Sequence, residues 1–121
     1  MFDVSLPIDA METYVQAVTN RLEHTPAQHF WVFGHLGDGN LHLAIQIPAT
    51  TDRDCQTEIE SCVYEPLVSC KGSVSAEHGI GLEKKRWLPV SRSPAEIQLM
   101  KTIKTALDPK SILNPGKILD F

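Results

Sequence analysis

Apolar and polar residues recur with two different periods along this chain, and the period predicts where strands and helices lie. Residues 2–7 alternate between apolar and polar side chains and are rich in strand formers, which favours a strand. Residues 9–23 instead carry apolar side chains three and four positions apart, the spacing of one helix face. The same criteria predict strands over residues 29–36, 40–47 and 73–78, and helices over residues 52–71 and 93–107.

The predicted order of elements is β-α-β-β-α-β, which is typical of a ferredoxin-like α+β fold. Such a fold has an antiparallel sheet with helices on one face, and the later residues of this chain would add C-terminal helices. With 121 residues, the chain is long enough for one domain. The other face of the sheet is then expected to meet water or a partner.

The two central strands are joined by an unusual segment, GHLGDGNLHL, over residues 34–43. Its Asp38-Gly39 dipeptide predicts a two-residue type I′ turn, because both central positions of that turn need a positive φ. Such a turn would set His35 directly opposite His42, with Cβ atoms about 4.5–5.5 Å apart. Two imidazoles at that separation can share a metal ion, whereas a wider loop would change the pairing.

This register assigns each side chain of the hairpin to one face of the sheet. The residues predicted to face the core are Phe30, Val32, Leu36, Leu41, Leu43, Ile45 and Ile47. The residues predicted to face away from it are Trp31, Phe33, His35, His42, Ala44 and Gln46. Both histidines therefore lie on the open face, where they are either a metal-binding pair or two solvated surface side chains.

A second pair of ionisable residues follows in SAEHGIG, residues 75–81. Glu77 would complete a site of two histidines and one carboxylate with an open position, an arrangement typical of catalytic zinc and suited to other divalent metals. His78 would be free to act as a general base. The simpler interpretation of Glu77 and His78 is a polar strand end.

Composition and charge argue against several classes of protein, including nucleic-acid-binding and membrane-spanning proteins. The net charge is −4 and the pI is near 5.7, so no basic surface points to nucleic acid or to an anionic membrane. No apolar run is long enough for a transmembrane segment, and the first residues lack a signal-peptide pattern, so we expect a cytoplasmic protein. The three cysteines are interpreted as reduced core thiols, and the charged run over residues 83–86 as a solvated turn.

Three stretches together resemble a known family: GHLGDGNLHL, VSAEHGIGLEKKRWLP and LMKTIKTALDPKSILNPGKIL. In this order they are similar to the C-terminal domain of FAD-linked 2-hydroxy-acid oxidoreductases. That group includes D-lactate dehydrogenases, the flavin subunit of glycolate oxidase and D-2-hydroxyglutarate dehydrogenases. The resemblance runs over nearly the whole chain.

The resemblance implies roles for the residues that match its motifs. His35, His42 and Glu77 correspond to ligands of a divalent metal, with zinc expected. His78 corresponds to the base that takes the hydroxyl proton of a 2-hydroxy acid as hydride leaves C2 for the flavin. These roles are chemically consistent, because a divalent metal acidifies a hydroxyl group bound to it and a neutral imidazole accepts the proton that is released.

Further positions follow from the same resemblance. Asn114, in the turn at residues 114–116, and Asn40, in the hairpin, are candidate contacts to the FAD cofactor. One position departs from the family pattern, which often continues His-Leu-Asn where this chain has His42, Leu43 and Ala44. The missing amide suggests a different or less polar 2-hydroxy acid as substrate.

The FAD-binding domain of the family is N-terminal, and its glycine-rich pyrophosphate loop has no counterpart here. We therefore expect residues 1–121 to be part of the C-terminal substrate and metal domain, with the FAD-binding domain absent and FAD not retained. The expected partners are a 2-hydroxy acid, an FAD-binding domain or subunit, and a second copy of the chain through Trp31 and Phe33. The alternatives are a stand-alone metal-binding or interaction module without catalysis, and a small ferredoxin-like regulatory domain.

Overall fold

Strands and helices are mixed along the chain in the computed structural model, which describes all 121 residues. The strands are β1 (Phe2–Ser5), β2 (His29–His35) and β3 (Asn40–Gln46). The helices are α1 (Met11–Leu22), α2 (Arg53–Tyr64), α3 (Leu88–Ser91) and α4 (Pro94–Leu107). No helix is long and apolar enough to cross a lipid bilayer.

The sheet is antiparallel and has the order β1-β3-β2, so β3 is its central strand. Two core-facing residues of β3 are buried: Leu43 is fully buried and Leu41 is 2% exposed. Helices α1 and α2 provide the other side of this core. The buried apolar side chains are Val4, Leu6, Met11, Tyr14, Val18, Leu22, Leu41, Leu43, Ile59, Cys62, Val63, Tyr64, Leu67 and Val74.

The predicted face assignment is confirmed for most of the hairpin and wrong at two residues, of which Ile47, just beyond the end of β3, is 37% exposed. Phe30, Val32 and Ile45 pack against the core as partly buried side chains. Leu36, which we placed on the core face, is 60% exposed. It belongs to a short 3-10 turn over Leu36–Asp38 and no longer follows the alternation of a strand.

The predicted strand over residues 73–78 is wrong. A single bridge joins Ser73 to Ser5, with N–O distances of 2.7 and 3.1 Å, and the pairing stops there. Successive amides of a strand point to opposite sides, whereas the next amides of this segment all turn toward one carboxylate, described below. The ferredoxin-like topology is therefore not confirmed, and the sheet has three strands.

The helix predicted over residues 52–71 is shorter than expected. Asp52 caps its start by accepting a bond from the Cys55 amide at 2.9 Å. The helix ends at Tyr64 and tightens into a 3-10 turn over Glu65–Val68. Pro66 explains this ending, because proline has no amide hydrogen to continue the helical bonds.

The secondary structure of the C-terminal part agrees closely with the structure predicted from its sequence. Ser93 and Glu96 form the reciprocal bonds of a capping box at the start of α4. The predicted turn at Asn114 is confirmed by a bond from the Lys117 amide to the Asn114 carbonyl at 3.3 Å. No residue of α4 is buried, so this helix rests on the surface of the domain.

Candidate metal and substrate site

The loop between β2 and β3 is wider than the predicted type I′ turn. The 3-10 turn over Leu36–Asp38 is followed by Gly39 in the left-handed region, with its amide bonded to the Leu36 carbonyl at 3.1 Å. The wider loop shifts the register, so that His42 pairs with Phe33 and His35 pairs with Asn40. The prediction that His35 pairs directly with His42 is therefore wrong, because the observed register differs from the predicted one by two residues.

A shift of two residues leaves every side chain of a strand on the face that the prediction gave it. The imidazoles of His35 and His42 consequently still meet on the face away from the core, along a diagonal. Their ring centroids are 5.7 Å apart and nearly perpendicular. The ring of Phe33 lies 5.4 Å from His42 on its other side, which leaves the His42 side chain only 12% exposed.

One glycine allows the two strands to approach this closely. Gly34 has a φ of +151°, and a Cβ at this position would lie 2.4 Å from the Asn40 carbonyl oxygen. No side chain fits there without moving the backbone of β3. Gly34 therefore fixes the spacing of the strand ends that carry His35 and His42.

Glu77 joins the two histidines from the segment after α2. Its Oε1 lies 3.4 Å from His35 Nε2 and 3.6 Å from His42 Nε2. The candidate ligand atoms of the three residues all lie within 4.8 Å of one another. Two ligands of a tetrahedral zinc ion are about 3.3 Å apart when each bond is about 2.0–2.1 Å long. The group is therefore close to the size that one ion requires.

Asn40 lies beside Glu77 and is the buried polar residue of the hairpin. Its Nδ2 donates to Glu77 Oε1, and the residue is 4% exposed. Its Oδ1 is buried and has no hydrogen-bond partner. A buried acceptor without a donor is uncommon in proteins, which distinguishes Asn40 from the other polar residues of the hairpin.

His78 follows Glu77 and points to the same face of the sheet. Its ring centroid lies 5.8 Å from that of His42, and its side chain is half exposed. Nδ1 of His78 lies 3.4 Å from Oδ1 of Asp3 on β1. The imidazole is therefore within reach of both the histidine pair and a carboxylate.

Asp3 is the residue that sequence reasoning missed. It pairs with His42 across the sheet and is fully buried. Its Oδ2 accepts hydrogen bonds from the amides of Ala76 at 2.8 Å, Glu77 at 2.7 Å and His78 at 3.0 Å. The hydroxyl of Ser75 adds a fourth bond, at 3.1 Å. Three successive amides around one anion form a concave backbone nest.

Lys84 supplies the charge that balances this carboxylate. Its ammonium forms an ion pair with Asp3 Oδ1, and the side chain is only 12% exposed. The interpretation of Lys84 as part of a solvated turn is therefore wrong. Burial alone would raise the pKa of Asp3, but the bonds from Lys84 and from the amides of Glu77 and His78 hold it well below its usual range.

The sequence contained one signal for Asp3. Phe2 and Val4 alternate with Asp3 along β1, and the same alternation places Asp3 on the face that carries His42. No comparable signal existed for Lys84, which is 81 residues away.

The remaining predicted positions lie further from the cluster. Asn114 is exposed and lines a groove between α4 and the C-terminal tail, with Leu107 and Leu113 among its neighbours. No hydrogen bond or ring contact joins it to His35, His42 or Glu77. Ala44 pairs with Trp31 on the open face, two residues from His42, as its place in the pattern predicts.

Comparisons with known proteins give the chain a family context. Residues 1–118 match the family model described as FAD linked oxidases, C-terminal domain. The chain is 42% identical over 122 residues to D-2-hydroxyglutarate dehydrogenase of Stutzerimonas stutzeri (strain A1501), covering 96% of this chain and 26% of the relative. It is 44% and 45% identical over 118 residues to the mitochondrial D-2-hydroxyglutarate dehydrogenases of Danio rerio and Bos taurus.

Both mitochondrial matches cover 98% of this chain, and they cover 22% and 21% of the two relatives. The chain thus spans about a quarter of the length of the curated relatives it matches. These relatives include a bacterial protein and mitochondrial proteins, so the cytoplasmic location stays a prediction.

Proposed function

The chain belongs to the family of FAD-linked oxidase C-terminal domains, and on this premise we propose that it is the substrate- and metal-binding part of an FAD-dependent 2-hydroxy-acid dehydrogenase or oxidase. The observation that carries the proposal is the convergence of His35, His42 and Glu77 on the open face of the sheet. The names of the relatives supply the substrate class, since they are D-2-hydroxyglutarate dehydrogenases.

The donor set fits a divalent metal of the zinc type. Two imidazole nitrogens and one carboxylate oxygen are ligands that zinc prefers, and three protein ligands leave a position for substrate. The face is partly open, since the side chains of His35 and Glu77 are 63% and 49% exposed. A metal held by these three residues would polarise the hydroxyl group of a 2-hydroxy acid, and FAD would accept the electrons.

His78 is the residue we propose as the general base. Its side chain is half exposed and lies against His42, so Nε2 can reach a substrate held at the cluster. A neutral imidazole at this position accepts the proton of the substrate hydroxyl. Nδ1 faces Asp3 instead, which leaves Nε2 as the nitrogen available to substrate.

Two asparagines are proposed contacts to FAD. Asn40 is supported by its buried, unpartnered Oδ1 beside Glu77. Asn114 is supported only by its motif, and its groove between α4 and the tail is apolar. FAD itself would be bound mainly by an FAD-binding domain or subunit, which is the partner we propose for the open face with Trp31 and Phe33.

The test of the metal site is elemental analysis of the purified 121-residue chain after incubation with zinc and removal of free ion. We expect near-stoichiometric zinc in the parent chain and loss of it in His42→Ala and Glu77→Ala, because each variant removes one of three ligands. His24→Ala and Glu12→Ala are matched controls, since both side chains are exposed and neither lies at the cluster. Both controls should bind zinc as the parent does.

Two results would contradict the proposal. Absence of zinc in the folded parent chain would mean that His35, His42 and Glu77 are not a metal site in this chain. Stoichiometric flavin in the purified chain would contradict the proposal that FAD is bound mainly by another domain or subunit.

A further inference from the structure

The buried carboxylate of Asp3 lies directly behind the proposed site and has so far entered only as the neighbour of His78 Nδ1. It comes from β1, whereas the residues that contact it come from the segment 75–78 and from Lys84. A fully buried carboxylate is costly unless hydrogen bonds and a counter-charge compensate it. Asp3 has both, and each of its two oxygens has a separate set of partners.

The first oxygen, Oδ2, fixes the course of the segment that carries Glu77 and His78. It accepts the amides of Ala76, Glu77 and His78 at 2.7–3.0 Å. These bonds replace the strand pairing that ends at Ser73. The orientation of the Glu77 carboxylate toward His35 and His42 therefore depends on a residue of another strand.

The second oxygen, Oδ1, faces the imidazole of His78. Nδ1 of His78 lies 3.4 Å from it, and the ammonium of Lys84 pairs with the same oxygen. The contact with Nδ1 is longer than the hydrogen bonds that Asp3 accepts from the amides. A carboxylate beside Nδ1 nevertheless attracts hydrogen on that nitrogen, so it favours the imidazole tautomer that carries hydrogen on Nδ1. In that tautomer, Nε2 has a free lone pair.

We propose that Asp3 is the positioning residue of the site: it holds Glu77 beside the two histidines and keeps His78 in the tautomer that leaves Nε2 able to accept a proton. This inference rests on the proposed function for the purpose of Nε2, and on the geometry alone for the tautomer. The ion pair with Lys84 supplies the counter-charge that a buried carboxylate requires.

The inference is tested by ¹⁵N NMR of the histidine rings in the metal-free 121-residue chain at alkaline pH, where imidazoles are in general uncharged. The parent chain should show His78 with hydrogen on Nδ1. In Asp3→Asn the single carbonyl oxygen stays with the three amides, and the NH₂ group faces Nδ1 as a donor. We therefore expect the tautomer to invert, with hydrogen moving to Nε2. The variant also loses the ion pair with Lys84 and is less stable, so its spectra are recorded under conditions where circular dichroism shows it to be folded.

Metal binding provides a second readout of the same variant. Zinc affinity should fall about 10- to 100-fold in Asp3→Asn, the usual effect of removing a group that orients metal ligands. Asp9→Asn is the matched control, because Asp9 is exposed and has no hydrogen bond to the site. The control should leave both the tautomer and zinc affinity unchanged, and circular dichroism should confirm that each variant is folded.

The outcomes separate this inference from the proposed function. An unchanged tautomer in folded Asp3→Asn would overturn the positioning role. Hydrogen on Nε2 of His78 in the parent chain would overturn it as well, whether or not the variant folds. Inversion of the tautomer in a chain that never binds zinc would support the role of Asp3 and count against the metal site.

Discussion

The two segments that meet at the candidate site are held in place by different forces. The hairpin of β2 and β3 carries His35 and His42, and it is held by backbone pairing along the full length of both strands. The segment 75–78 carries Glu77 and His78, and its backbone pairing ends with the single bridge at Ser73. Beyond that bridge, the carboxylate of Asp3 holds it.

This difference means that the two halves of the site respond to different changes. The hairpin depends on backbone shape, because its spacing is fixed by Gly34 and by the wide loop before Gly39. The segment depends on a buried charge and its compensation. A substitution that alters charge should therefore disturb Glu77 and His78, and one that alters backbone shape should disturb His35 and His42.

The largest effect is expected from Lys84→Met, which removes the counter-charge of a fully buried carboxylate. Leaving one member of a buried ion pair without its partner costs about 3–5 kcal/mol of unfolding free energy. Asp3 keeps its hydrogen bonds from the segment, so we expect a loss of about 3 kcal/mol. Urea denaturation followed by circular dichroism measures the change.

Lys85→Met is the matched control for that substitution. The Lys85 side chain is 19% exposed and also donates to the Gly116 carbonyl at 2.9 Å, but its partner Asp120 is 80% exposed, and an ion pair that is open to solvent on one side contributes about 0–1 kcal/mol. Equal losses in Lys84→Met and Lys85→Met would contradict the difference between an ion pair with a buried carboxylate and one with an exposed carboxylate.

The next largest effect is expected from Gly34→Ala in the hairpin. The added Cβ would meet the Asn40 carbonyl oxygen at 2.4 Å, and the backbone has a φ that side chains rarely adopt. Backbone strain and overpacking each cost about 1–3 kcal/mol, and because this end of the hairpin can open to relieve part of both, we expect a loss of about 2–3 kcal/mol. The hairpin should open at this end, so His35 should lose its ring contact with His42, as measured by NMR chemical shifts.

Gly37→Ala provides the control within the same loop. A Cβ at Gly37 meets nothing within 4 Å, so the unfolding free energy should change by less than about 0.5 kcal/mol. A large loss in Gly37→Ala, or none in Gly34→Ala, would show that the spacing of the strand ends does not depend on Gly34.

Local patterns predicted what local forces decide. The periods of apolar residues identified the strands around Leu41 and Leu43, and the capping box at Ser93 was evident from four adjacent residues. The motifs named His35, His42, Glu77 and His78, which the fold brings together. The turn type was wrong because Asp38-Gly39 is compatible with a wider loop as well as with a type I′ turn.

Those patterns could not predict the hydrogen bonds and the ion pair that form between distant parts of the chain. The strand predicted over residues 73–78 has suitable residues, but its amides find a better acceptor in Asp3. The pair of Asp3 and Lys84 joins positions 81 residues apart, and nothing in the segment around Lys84 indicates that its ammonium is buried. A carboxylate within an apolar strand, such as Asp3, indicates a buried partner elsewhere in the chain when the residue that pairs with it across the sheet is a candidate metal ligand.

The smallest effect on stability is expected from Asn40→Ala, which breaks the direct link between the two segments. The backbone of Asn40 belongs to the hairpin, and its side chain donates to Glu77. The loss of one hydrogen bond is partly offset by removal of the buried, unpartnered Oδ1, so the unfolding free energy should fall by only about 1 kcal/mol.

Zinc affinity of the same variant should fall about 10-fold or more, because Glu77 loses a group that orients it. Isothermal titration calorimetry measures that loss, with the exposed Asn20→Ala as the control. Unchanged zinc affinity in folded Asn40→Ala would mean that the hairpin does not orient Glu77, and that Asp3 alone holds the segment at the site.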